Sequence, residues 1–217
     1  MGTDIHVHVE YKEKKVTNHG SNNQPIYENG EWKCGDDFRE PYSFSTHEIK
    51  TIELVPDELS VGRSYEMFAV LADVRNDFEN AVMCPPRGLP DDVTKEVQLE
   101  CERWGNSCHS HSYFTLKELI DYQKIAPPTK VAGMLSPKDL VAFDEKGIIP
   151  NSWCMWTNIP GHELREWETE CPLGYLIQQL KKKADALGVI PIWQWEEDPE
   201  GAYRNTENIR IVFWFDN

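Results

Sequence analysis

One segment of this 217-residue chain limits the fold more than any other feature. Residues 209–215, IRIVFWF, are apolar at nearly every position. A strand with one face in water alternates apolar and polar residues, whereas a strand covered on both faces loses this alternation. The segment therefore predicts a central strand of a sheet that is covered on both sides.

Near its beginning the chain shows the opposite pattern, an alternation of polar and apolar residues. Because side chains alternate between the two faces of a strand, residues 3–12 predict a strand with one polar and one apolar face. Two interpretations of the polar face stay open: a metal site, or a solvated face whose histidines pair with its carboxylates. The polar face carries Asp4, His6, His8 and Glu10.

Other elements are predicted from local signals. Asn29-Gly30, between β-favouring residues and after a polar loop over residues 13–24, indicates a hairpin turn. Residues 189–195 predict a strand that joins the last strand through a hairpin-type connection. Helices are predicted near residue 63, after a cap at Asp91 or Asp92, after the Thr115–Glu118 capping box, from Ser136-Pro137 to Gly147, and over residues 172–187.

Antiparallel strands with helices inserted between them define the α+β class, here with a mainly antiparallel sheet. No internal repeat and no clear linker divides the chain, so residues 1–217 are expected to form a single compact domain. The chain has 40% hydrophobic residues, among them 8 Trp, 8 Tyr and 8 Phe, and can therefore bury a substantial core.

The formal net charge of −15 argues against direct nucleic-acid binding, since phosphate contacts need a basic surface. It is compatible with plain solubility or with an acidic surface that imitates nucleic acid. The six cysteines include no C-x-x-C pair, and no segment has the pattern of a signal peptide or a membrane span of about 20 apolar residues. We therefore expect a cytoplasmic protein with reduced thiols and no membrane association.

The D-x-H-x-H pattern of the first strand can supply two imidazoles and a carboxylate to one divalent metal, because alternation aims them to the same side. Such ligands suit Zn²⁺, Mn²⁺, Fe or Ni, and the metal would turn bound water into a hydroxide nucleophile. The motif resembles that of amidohydrolases and of polymerase-and-histidinol-phosphatase-type phosphoesterases. The resemblance implies metal-dependent hydrolysis, but the chain lacks the regular strand–helix alternation of those barrels.

A second histidine pair, His109 and His111, is predicted in the loop just before a helix. Its imidazoles could complete a mono- or dinuclear site with the first strand. Alternatively, Ser110 and Ser112 could bind an anion together with the helix N-terminus, where unpaired N–H groups favour negative charge. A third interpretation is structural, with His109 and Ser112 satisfying loop carbonyls.

The leading hypothesis is a metal-binding protein that hydrolyses a small anionic phosphoester or nucleotide-like substrate. Asp4 or Glu10 would act as the base. Arg63 or Arg87 would bind the substrate's charge, with internal salt bridges as the alternative role for these arginines. The predicted metal ligands are Asp4, His6, His8, His109 and His111.

The segments MGTDIH, FAVLADVRN, PRGLPDDV, HSHSYFTLKEL and RIVFWFDN together resemble an uncharacterised family of small proteins encoded by bacteriophages and bacteria. The resemblance implies a single compact domain that acts in the cytoplasm, which is the host cytoplasm for a phage protein. It implies no activity. The rival hypothesis is a non-enzymatic binding protein that sequesters a nucleotide ligand or blocks a host protein through its acidic surface.

Overall fold

The computed structural model describes residues 2–19, 25–39, 55–150, 153–154 and 157–216. Its strands are β1 (Asp4–His19), β2 (Pro25–Cys34), β3 (Phe38–Arg39), β4 (Val55–Pro56), β5 (Cys108–Thr115), β6 (Thr129–Leu135), β7 (Glu163–Thr169) and β8 (Ile209–Asp216). Its helices are α1 (Tyr65–Ala72), α2 (Lys95–Trp104), α3 (Leu116–Ile125), α4 (Pro137–Lys146), α5 (Gly174–Ala186), α6 (Gln194–Glu197) and α7 (Pro199–Asn205). The α+β class is confirmed.

The main sheet has four antiparallel strands in the order β2-β1-β8-β5. Strand β8 lies between β1 and β5, and every residue from Ile209 to Phe215 is buried. The prediction of a central strand that is covered on both faces is therefore confirmed.

Helices cover the two faces of this sheet unequally. On one face Val7, Phe213 and Phe215 share the largest apolar cluster with residues of α1, α3 and α5. On the other face α2 packs through Val97 against Val212 and Trp214 of β8. The polar face of β1 consequently lies in the interior, beneath α2.

The predicted turn at Asn29-Gly30 is wrong. Strand β1 continues beyond the predicted end to His19, and Asn29 and Gly30 lie within β2. Lys12 pairs with Trp32 but Lys14 pairs with Asn29, so β2 carries one extra residue at this point. Glycine inside a strand often marks such a bulge.

The predicted strand over residues 189–195 is also wrong. This segment forms a turn, in which the Gln194 N–H donates to the Pro191 carbonyl at 2.9 Å, and then enters α6. The connection to β8 is helical as well, because Asp198 caps α7 and Pro199 occupies its first turn. Proline is favoured there because an N–H in the first turn has no acceptor within the helix, so proline, which lacks the N–H, loses no hydrogen bond.

The helix signals of the middle of the chain are largely confirmed. Thr115 and Glu118 form a reciprocal capping box at the start of α3. Ser136 caps α4, Pro137 opens it, and Gly147 ends it with φ +64°.

Within the described ranges, no helix combines the length and the apolar character that a bilayer crossing demands.

A smaller unit, here called the β6–β7 unit, comprises β6, α4, β7 and the described residues between them. Its strands pair antiparallel from Thr129 opposite Thr169 to Leu135 opposite Glu163. Val131, Leu135, Leu140 and Trp167 form its own apolar cluster. The unit is tied to the segment after α1 because the Asn80 side chain bonds both backbone groups of Lys130.

Candidate functional site

The polar face of β1 is mostly buried. His8 and Glu10 are inaccessible to solvent, and His6 is 6% exposed. Only Asp4, at the end of the strand, is exposed. The interpretation of this face as solvated is therefore wrong, and the groups that its histidines bond are carboxylates from distant segments rather than Asp4 or Glu10.

His8 forms a buried pair with Asp36, which follows β2. The His8 Nδ1 and Asp36 Oδ2 atoms are 2.8 Å apart, and Asp36 Oδ1 accepts a 3.0 Å hydrogen bond from the Val9 N–H. Burial raises the pKa of the Asp36 carboxyl, while its hydrogen bond with His8 works in the opposite direction. The adjacent Gly35 N–H donates to the Val9 carbonyl at 2.7 Å and fixes Asp36 beside β1.

His6 lies between two carboxylates and two indoles. Its Nδ1 is 2.8 Å from Glu58 Oε1, and its Nε2 is 3.7 Å from Asp216 Oδ2. Its ring centroid is 4.1 Å from that of Trp104 and 6.1 Å from that of Trp214. Burial lowers the pKa of His6, but Glu58 and Asp216 together outweigh burial, so the pKa lies above its usual value.

Glu10 forms a buried ion pair with Arg210, its cross-strand neighbour on β8. Glu10 Oε2 accepts from the Arg210 guanidinium at 2.7 Å, and Glu10 Oε1 accepts from the Thr94 N–H at 2.6 Å. The guanidinium also donates to Asp92 Oδ1 at 2.7 Å and lies 4.0 Å from the ring centroid of Trp32. Both oxygens of Glu10 thus accept hydrogen bonds from groups of the fold, and the side chain is inaccessible to solvent.

This network also corrects the predicted cap of α2. Thr94 occupies the N-cap position, and Asp92 directs its carboxylate to Arg210 instead. Burial alone would raise the pKa of Asp92, but the hydrogen bond and charge of Arg210 hold it below its usual value. Asp92, one of the two residues predicted to cap α2, therefore forms an ion pair with Arg210 of the sheet instead.

His109 and His111 lie in β5 rather than in the predicted loop. The ladder to β8 shifts between His109 and Ser112, and Ser110 has φ +53°, which is a bulge. The extra residue reverses the alternation, so that His109 stacks 6.0 Å from Phe215 and His111 lies 6.0 Å from Trp214, on opposite faces. The two histidines therefore cannot share one site.

The five predicted metal ligands do not form one centre. His6, His8 and His111 surround the Trp214 indole, whereas His109 faces the other side and Asp4 is held outward by Arg63. Among the residues that the structure describes, no three or more His, Cys, Asp or Glu side chains are arranged to hold a metal ion. The metal set implied by the D-x-H-x-H resemblance does not fit this geometry.

The predicted anion-binding groups already have partners within the protein. Arg63 donates to both carboxylate oxygens of Asp4, at 2.7 and 2.5 Å, and this bond lowers the pKa of Asp4. The side chain of Arg87 donates to Glu118 Oε1 at 2.7 Å. The internal salt bridges that were the alternative role for these arginines are thus present.

The serines of the predicted anion site are occupied as well. Ser112 is buried, and its hydroxyl accepts from the Arg87 N–H at 3.3 Å. The Ser110 hydroxyl is 3.0 Å from Nδ1 of its neighbour His109. Neither serine adjoins the first turn of α3, which begins at Leu116 and is capped by Thr115.

Sequence reasoning missed the carboxylates that complete this layer, which are Asp36, Glu58 and Asp216. No periodic or motif signal marks them, because each comes from a segment remote from His6 and His8. The Nε2 atoms of both histidines are buried and have no hydrogen-bond partner among the described residues.

Comparisons with protein-family models, with curated proteins and with solved structures found no match to this chain.

We expect Arg210→Met to lower the free energy of unfolding by about 3–5 kcal/mol, because Glu10 would stay buried without its counter-charge. Urea unfolding of the purified variant measures this. Arg204→Met is the matched control, since Arg204 is 70% exposed in a 3.8 Å pair with Glu200 and should change stability by less than about 0.5 kcal/mol. A loss below about 1 kcal/mol for Arg210→Met would show that the pair is not structural.

The raised pKa of His6 predicts a pH-dependent contribution to stability. The pKa of His6 in the folded protein lies above its value of 6.5 in the unfolded chain. Protonated His6 therefore stabilises the fold fully below about pH 6.5, and this stabilisation is lost as the pH rises through the folded-state pKa. The difference in unfolding free energy between the wild type and His6→Asn should therefore be largest in acid and shrink as pH rises above about 7. His109→Asn, on the other face, is the control. A difference that grows with pH contradicts the assignment.

Proposed function

We propose that this protein is a non-enzymatic binding protein that recognises another protein through an acidic and partly apolar surface. The two residues predicted as bases already have partners: Glu10 pairs with Arg210 in the interior, and Asp4 pairs with Arg63 at the surface. Glu10 and His8 are inaccessible to solvent, and Glu10 is also bonded to the N–H of Thr94, the N-cap residue of α2. Support for a binding role comes instead from the exterior of the β6–β7 unit.

The observation that carries the proposal is the distribution of exposed apolar side chains. Of the twelve large apolar residues that are exposed in the described part of the chain, six fall between residues 141 and 164. Single exposed apolar residues are ordinary, but a concentration of them on one small unit is typical of interaction surfaces. The six are Val141, Ile148, Ile149, Trp153, Ile159 and Leu164.

The charge of the protein indicates the chemistry of the partner. The net charge is −15, and the β6–β7 unit exposes Glu163, Glu166 and Glu168 along β7. A negative surface attracts basic partners during diffusional encounter and repels acidic ones. The partner we propose is therefore a protein with a basic surface, in the cytoplasm, and a host protein if a phage encodes this chain. Nucleic acid and membrane are not proposed as partners.

Site-specific photocrosslinking tests this function. A benzoylphenylalanine residue at Leu164, which is 50% exposed, should yield a discrete crosslinked protein in extract of the cells from which the sequence comes. The same residue at Leu99 of α2, which is 44% exposed, is the control and should not yield that product. Mass spectrometry then identifies the partner, which we expect to be basic.

Two outcomes would contradict the proposal. One is the absence of any discrete product from Leu164 and also from Ile159. The other is the same set of products from the β6–β7 unit and from Leu99, because that pattern indicates adhesion without a specific surface.

A metal-dependent hydrolase of a small anionic substrate is the second candidate, and one observation favours it. His6 and His8 each have Nδ1 beside a carboxylate and a buried Nε2 without a hydrogen-bond partner among the described residues. Histidines that bind metals commonly donate their other ring N–H to a carboxylate in this way. Imidazole nitrogens of this kind bind Zn²⁺, Mn²⁺, Fe or Ni ions.

Thermal unfolding with added metal tests the second candidate. If the two Nε2 atoms bind a metal, Zn²⁺ or Ni²⁺ at a hundredfold excess over the dissociation constant should raise the melting temperature by roughly 5–10 °C. The shift should disappear in His6→Ala/His8→Ala and persist in His109→Ala. An unchanged melting temperature in the wild type removes this candidate.

A further inference from the structure

Strand β7 is the outer strand of the β6–β7 unit. On the opposite side, two residues of β6 already have backbone partners: Lys130 bonds the Asn80 side chain, and the Met134 N–H donates to the Cys154 carbonyl at 2.8 Å. No described strand pairs with the outer edge of β7. An unpaired edge presents backbone N–H and C=O groups that can accept a further strand.

This edge is regular, and charge is its main protection, because Glu163, Arg165, Glu166 and Glu168 lie along it. The Arg165 guanidinium also donates to the Leu164 carbonyl at 3.1 Å, a bond that an added strand would have to replace. The ladder between β6 and β7 runs through seven consecutive residue pairs without a bulge. Strand β7, with the sequence ELREWET, contains neither proline nor lysine, the residues that most often protect edges. A regular edge of seven residues offers about 23 Å of pairing surface.

A pocket of about 410 Å³ continues the line of β7 at its C-terminal end. Its walls come from Gln123 and residues 126–128 after α3, and from residues 168–171. Glu168 and Glu170 carry two exposed carboxylates here, and neither forms a salt bridge with a described residue. Two unpaired carboxylates beside the Gln123 amide form an acceptor site for a guanidinium or ammonium group.

We propose that the outer edge of β7 and this pocket bind an extended, basic segment of the partner protein by strand addition. Leu164, Glu166 and Glu168 lie on one face of β7 because residues at a spacing of two share a face. A paired segment would therefore place an apolar side chain near Leu164 and basic side chains near the glutamates, with the last of them entering the pocket. Backbone pairing would supply affinity, and the side chains would supply selectivity.

A second copy of this chain is a poorer occupant. Two β7 edges that paired with each other would bring Glu166 and Glu168 close to the same residues of the other copy. Like charges on directly opposed strand positions are destabilising. The acidic edge thus disfavours self-association and selects a segment of opposite charge.

Fluorescence anisotropy tests the inference with a labelled heptapeptide that carries valine, arginine and arginine at successive alternate positions and threonine elsewhere. On one strand face this peptide can set its valine near Leu164 and its arginines near Glu166 and Glu168. The peptide should bind saturably. Glu168→Gln/Glu170→Gln should weaken its binding by roughly five- to thirtyfold, as expected for the loss of two exposed ion pairs. Glu196→Gln/Glu197→Gln on α6 is the matched control, because it removes the same charge from two other exposed glutamates and should leave the dissociation constant unchanged.

A second probe separates strand addition from simple charge attraction. The same peptide with methyl groups on the backbone nitrogens that would face β7 keeps its charge but cannot pair along β7, and it should not bind. Equal binding of the methylated peptide, or an equal loss in the α6 control variant, overturns the inference. So does equally tight binding of a peptide in which glutamate replaces arginine.

The inference rests on the proposed function but can fail separately from it. If the peptides show no strand addition while Leu164 still crosslinks a discrete basic protein, protein binding stands and this docking mode is wrong. If crosslinking fails as well, the proposed function fails with it.

Discussion

The burial of both faces of β8 brings the polar face of β1 into the interior as well, because the two strands are neighbours in one sheet. A charged side chain can remain in such a place only if a hydrogen-bonded partner offsets the cost of removing it from water. Asp36 pairs with His8, Glu58 with His6, and Arg210 with Glu10. The arrangement that resembles a catalytic constellation in sequence is thus a set of buried pairs that lets α2 pack on the sheet.

The predictions that succeeded depend on interactions within a few residues. The capping box at Thr115 and the Ser136-Pro137 start use contacts of three or four positions, and the sequence of such a segment contains both partners. The β8 prediction succeeded for a related reason, since burial on both faces removes polar residues from the strand itself. These signals were enough for the fold class.

The predictions that failed depend on partners far along the chain. Asp92 has the chemistry of a helix cap, but Arg210, 118 positions away, binds it instead. Asn29-Gly30 has the composition of a turn, but pairing with β1 places it at a bulge. The site prediction failed for a related reason. One extra residue at Ser110 puts His109 and His111 on opposite faces, and no glycine in β5 marks this bulge.

The β6–β7 unit differs from the main sheet in how its edges end. Asn80 and Cys154 occupy one side of β6, so this small sheet can lengthen only beyond β7. A polymer of such sheets would need two open sides on each copy. A unit with one open side can join at most one other copy edge to edge, so copies of this chain cannot build a continuous sheet through this unit.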